Sequence, residues 1–141
     1  MSWLQKNCVV VPIDFSDAAL AVVAPALEFV KDPSHLHVIH VLPDLHPADP
    51  AVVWDTVDEA TRKAHAKEAL QDKLSEFSAQ DMQIEVVIGD PSSAILDYAQ
   101  DLAADLIVMS SHGRTGMSRF MLGSVAERVV RLSKCPVLVI R

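Results

Sequence analysis

Cysteine, glycine, aromatic residues and positive charge are all scarce in this chain of 141 residues. Its 2 cysteines, Cys8 and Cys135, stand far apart inside apolar runs, without the C-x-x-C spacing of a redox or zinc motif, and read as small buried hydrophobes. With 12 Lys and Arg against 19 Asp and Glu, the formal charge is −7. That balance argues against DNA, RNA or an anionic membrane as partner, because such binding rests on cations neutralising phosphates. No apolar stretch approaches the roughly 18 residues of a membrane span. Met1 to Asn7 lacks the basic segment and apolar core of a signal peptide, so a cytoplasmic protein is expected. Catalytic patterns are missing too: there is no Gly-x-Ser-x-Gly elbow, no His-Glu-x-x-His, no P-loop with its Gly-Lys-Ser/Thr, and no Gly-x-Gly-x-x-Gly. A dedicated hydrolase or a dinucleotide enzyme is not expected.

What the chain does have is apolar residues, at 50%, enough for one domain over residues 1–141 with a single good core. Cys8 to Ile13 is a β-branched run without alternation, as in a strand buried on both faces of a parallel sheet. Ser16 caps a following helix whose apolar face is Leu20, Val23, Ala24, Leu27 and Val30, kinked by Pro25. His35 to Leu42 is a second strand; His35 and His37 face one way and His40 the other, so the three are strand-end and core residues rather than metal ligands. A Pro/Asp/His-rich connection, Pro43 to Pro50, leads to a long charged helix from Val53 to Ser78 with Ala66, Leu70, Leu74 and Phe77 along one side. Met82 to Ile88 nearly alternates, as at a sheet edge. Gly89-Asp90-Pro91 turns the chain into a third helix, with a place beside a ligand's base as its second role. Asp105 to Met109 and Cys135 to Arg141 are the last strands, on either side of a helix from Ser124 to about Ser133. Strands alternating with helices imply a doubly wound α/β fold.

The informative stretch is Leu106 to Glu127: an apolar strand, a long Gly/Ser loop and a helix start. Ser124 and Glu127 have capping-box spacing ahead of Val129, Val130 and Leu132. Gly123 lets a ligand approach the backbone, and free N–H groups at a helix N-terminus favour an anion. Gly113 and Gly116 supply further turns, and Arg114, Arg119, Arg128, Arg131 and Lys134 bias this third of the chain toward a small anionic ligand. Asp14 lies just past the carboxyl end of the first strand, on the rim where open α/β sheets bind ligands.

Ser110, Gly113, Gly123 and Ser124 fall in the register of Gly, two residues, Gly, nine residues, Gly, then Ser or Thr, with Ser110 in the first glycine's place. Pro12, Ile13, Asp14, Phe15 and Ser16 match a second signature, at the end of the first strand. In both, the chain resembles the nucleotide-binding branch of the universal stress proteins. The resemblance implies an open, Rossmann-like five-stranded parallel sheet of order 3-2-1-4-5. It further implies ATP, with Mg²⁺, as ligand and a nucleotide-dependent switch in stress response. Adenine would meet Ile13 and Val41, beside Pro12 and Met109, and Asp14 would hold ribose or Mg²⁺. Phosphates would lie on the backbone of the segments Ser110 to Gly113, with His112, and Gly123 to Val125, with Ser124 adding its hydroxyl and Ala126 among the binding residues, and binding would order the loop from Arg114 to Met121. That strand order leaves the apolar last strand at an edge, which implies a homodimer through Val137 to Ile140. ATP hydrolysis, if any, is expected to be slow. Two alternatives stay open: a dimeric adaptor of the same fold that binds no nucleotide, and an adenylate-handling enzyme of a related superfamily.

Overall fold

The computed structural model describes residues 4–45, 48, 58–77, 81–112 and 122–141. Val9, Val10 and Val11 are wholly buried, and this run forms β1 (Val9–Pro12) in the middle of the sheet. β-branched side chains on both surfaces of one strand need a layer on each side to cover them. β2 (Leu36–Leu42), β3 (Gln83–Ile88), β4 (Leu106–Ser110) and β5 (Val137–Ile140) complete a parallel five-stranded sheet of order β3-β2-β1-β4-β5. This is the expected α/β class and strand order, with β3 at one edge and β5 at the other.

Helices α1 (Asp17–Leu20), α2 (Val23–Leu27) and α3 (Glu59–Leu74) cover one face. There Val9, Val11, Leu36 and Val38 share a core with Ala19, Val23 and Leu70. The helices α4 (Pro91–Asp101) and α5 (Ser124–Leu132) cover the other, where Val10, Ile39 and Ile107 meet Ile95, Ala99, Ala126 and Val129. Each fully buried Val, Leu or Ile stabilises the sandwich by roughly 1.5–3 kcal/mol. Among the described residues no helix is long and apolar enough to cross a membrane.

Several boundaries differ from expectation. The first helix is not kinked but split, with Ala21 and Val22 between α1 and α2. Pro25 has no N–H for the Ala21 carbonyl, and its ring crowds that carbonyl, so the helix breaks one turn upstream. The break shifts the buried face: Val22 and Ala26 are buried and Ala24 is exposed. His35 closes a 3-10 turn, Pro33–His35, capped by Asp32, and the strand begins at Leu36. β4 starts at Leu106, because the Asp105 amide and carboxylate bond the residues just before β1. The third helix opens at Glu59, with Asp58 accepting from the Thr61 amide, and ends in a 3-10 turn, Ser75–Phe77; the expected start at Val53 and end at Ser78 lie outside the described residues.

One feature of the register positions the site. β1 and β2 pair as far as Pro12↔Ile39, and β4 and β5 as far as Ser110↔Ile140. β1 and β4 pair only at Val9↔Leu106 and Val10↔Ile107. The two central strands therefore part toward their carboxyl ends, at the point where the order of strand addition reverses.

Candidate functional site

Where β1 and β4 part, a cavity of about 300 Å³ opens. Eleven of the expected contact residues line it: Pro12, Ile13 and Asp14 at and just past the end of β1, Val41 near the end of β2, Met109, Ser110 and His112 at and just past the end of β4, and Gly123, Ser124, Val125 and Ala126 at the start of α5. Gly113, like the rest of the loop to Met121, lies outside the described residues. Ala19, Ile39, His40, Pro91, Ile95 and Ser111 line the cavity as well. Strand alternation could have found Ile39, which shares a face with Val41, and helix spacing could have paired Ile95 with Pro91; no signal in the sequence marked Ala19, His40 or Ser111.

The β1 wall is fixed by local bonds. The Ile13 amide donates to the Ile39 carbonyl at 2.9 Å, extending the ladder by one residue. Asp14 accepts from the Ser16 amide at 2.8 Å and from the Ser16 hydroxyl, while that hydroxyl accepts from the Ala19 amide at 3.1 Å, capping α1 as expected. On the β4 wall the Ser111 amide donates to the Ile140 carbonyl at 3.0 Å, and the Ser110 hydroxyl to the His112 carbonyl at 2.7 Å. Ser110 keeps strand geometry, since Ala103 is the one non-glycine with positive φ among the described residues. A serine is therefore conformationally acceptable where the motif has glycine.

At α5 the cap differs from the expected box. Gly123, extended at φ −62 and ψ 158, is the N-cap, and its carbonyl accepts from the Glu127 amide at 2.9 Å. Ser124 is consequently the first helical residue rather than the cap, and Glu127 pairs one turn onward with Arg131 at 3.4 Å. Nor is the Gly123 amide free for a phosphate: it donates to the Ser111 carbonyl at 2.8 Å. What the position requires is the missing side chain, because a Cβ there would sit 3.1 Å from the Ser111 oxygen and 3.7 Å from the His112 Cα. No side chain caps this helix, so the amides of Ser124, Val125 and Ala126 have no partner among the described residues and face the cavity end. Orphan amides and the positive end of a helix dipole attract an anion. The residues present thus fit a phosphate-bearing ligand.

The fold has counterparts in known proteins. A model of the universal stress protein family matches residues 7–141. The chain belongs to the universal stress protein family. It is 36% identical over 140 residues to a universal stress protein of Methanocaldococcus jannaschii, covering 94% of this chain and 81% of that one. The solved structure of UspA from Lactobacillus plantarum superposes with a TM-score of 0.76 at 32% identity, covering 97% of this chain and 99% of the other. A universal stress protein from Archaeoglobus fulgidus, solved in complex with dAMP, aligns with a TM-score of 0.60 at 26% identity over 95% of this chain and 97% of its own.

Proposed function

We propose that this universal stress protein binds an adenine nucleotide, ATP with Mg²⁺, in the cavity between β1 and β4 and serves as a nucleotide-dependent switch. The observation that carries the proposal is the uncapped start of α5 beside Gly123, where three amides without a partner among the described residues border an apolar slot lined by Ile13, Val41 and Ile95. Phosphates suit the amide end, and a purine suits the apolar end. Asp14, which lines the cavity, would meet the ribose or the metal, and the dAMP complex of the Archaeoglobus relative supports the ligand class. His112 Nδ1 lies 3.0 Å from the Ser111 hydroxyl, and Asp14 is engaged by Ser16. Groups so occupied hold a nucleotide better than they activate water, so ATP turnover should be slow.

The edge strand β5 supports a homodimer in the same proposal. Its Leu138 is 37% exposed, and an unprotected apolar edge is stabilised by pairing with its own copy across a two-fold axis. The deciding experiment is mass spectrometry of ligand released from denatured protein, joined to calorimetric titration of stripped protein with Mg-ATP and AMP. Saturable binding of either nucleotide is the expected result. Absence of binding at millimolar concentration would sink the proposal and leave the dimeric adaptor.

A further inference from the structure

Asp14 is the only carboxylate among the described residues that line the cavity, so where its backbone sits decides what the cavity can hold. One buried side chain grips the chain on both sides of it. His40 is 7% exposed at the end of β2. Its Nδ1 lies 2.8 Å from the carbonyl oxygen of Ile13, the residue before Asp14. A carbonyl can only accept, so Nδ1 carries the proton of this bond. The ring of Phe15, the residue after Asp14, meets the imidazole edge-on, with centroids 5.0 Å apart and planes at 71°. Asp14 is thus suspended between two residues that a single imidazole holds, and its own carboxylate is then oriented by Ser16. The bond also satisfies a carbonyl that continues past the last β1–β2 pair, where the ladder has ended.

We propose that His40 is a positioning residue for Asp14: it sets the affinity of the cavity for adenine nucleotides by fixing the Ile13–Phe15 backbone. This inference rests on the nucleotide-binding proposal above. The position asks for two things at once, a short N–H donor aimed at a carbonyl and a flat ring for Phe15. His40→Asn keeps the donor and loses the ring; His40→Phe keeps the ring and loses the donor.

The test is calorimetric titration of the full chain with AMP. His40→Phe is expected to weaken binding about 10-fold and His40→Asn by no more than about threefold, the loss of one buried hydrogen bond setting the scale. In an Asp14→Ala background His40→Phe should then change affinity by less than about twofold, because the two substitutions remove the same coupled contact. Nitrogen-15 spectra of the wild type should show the His40 ring protonated at Nδ1. Should His40→Phe not fold, His40→Gln replaces it; its amide sits too far along the side chain for the Ile13 carbonyl, so it should bind AMP more weakly than His40→Asn. A His40→Phe protein that binds like wild type, an equal loss in the Asp14→Ala background, Gln binding as tightly as Asn, or a ring protonated only at Nε2 would each overturn the inference while leaving nucleotide binding intact. Wild-type protein that binds no AMP would overturn both together.

Discussion

Helices α4 and α5 pack side by side on one face of the sheet, begin at the same rim and border the same cavity, yet their first turns are finished differently. α4 carries its own anion: Asp90 accepts from the Ser93 amide and the Ser92 hydroxyl, each at 3.0 Å, and Arg128 of α5 comes within 3.2 Å of the same oxygen. α5 has Gly123 at the equivalent position and no side-chain cap. The amino end of the sheet follows the α4 pattern, with Asp105 accepting from the Asn7 and Cys8 amides at 2.8 and 3.2 Å. A chain that supplies a carboxylate to the backbone amides at these places and withholds it at the α5 start, beside the cavity, leaves that start, on the nucleotide-binding proposal, to an outside anion. On the nucleotide-binding proposal, the difference between α4 and α5 is the difference between a structural helix end and a binding one.

The strongest way to break the contrast is to fill the space that Gly123 keeps open. In Gly123→Val the Cβ meets the Ser111 oxygen at 3.1 Å, and the branched side chain adds volume beside the first amides of α5. AMP and Mg-ATP affinity should fall at least ~100-fold by calorimetry, with the circular dichroism spectrum unchanged. A variant that binds within threefold of wild type would show that the α5 start is not where the phosphates lie.

A smaller effect should follow from making α5 resemble α4. Ser124→Asp places a carboxylate in the first turn of an uncapped helix, which stabilises a helix start by ~0.3–1 kcal/mol. The melting temperature should rise by a degree or more while nucleotide affinity drops about 10-fold, because the new charge occupies and repels the phosphate position. Opposite signs for stability and binding are the informative outcome; a fall in both would mean that Ser124 itself is a structural residue.

Much of the contrast was legible in the sequence, and its misplaced part has a physical reason. The run Val9 to Val11 announced a doubly covered strand, and Gly89-Asp90-Pro91 announced a turn into a helix, because each depends on neighbours in the chain alone. Ser124 and Glu127 have the spacing of a capping box, but the box also needs Ser124 to be extended. Instead the bond from the Gly123 amide to Ser111, a contact made through the fold, moves the cap back by one residue. Pro25 likewise signals a defect at its own position, whereas the break falls at the carbonyl it cannot bond. His40 read as a core histidine and is one; that it also borders the cavity depends on β2 lying next to the end of β1, which no local pattern encodes.

The mildest perturbation removes the cap from the helix that has one. Asp90→Ala should lower the melting temperature by a few degrees and leave AMP affinity within about twofold, since the residue is not among those that line the cavity and the change removes the α4 cap and the exposed contact with Arg128. Acid should reproduce that change reversibly. The Ser93 amide, then the Ser93 and Ser92 hydroxyls, and last the Arg128 guanidinium hold the Asp90 carboxyl below its ordinary value of 3.8. A carboxyl depressed in the folded state contributes stability that is complete above its unfolded pKa and is lost as the pH falls through the folded one. The gap in melting temperature between wild type and Asp90→Ala should therefore stay constant from about pH 5 to 8 and close below about pH 4. If the gap instead persisted undiminished into strong acid, the cap would owe its effect to packing of the Asp90 side chain, and charge would not be what distinguishes α4 from α5.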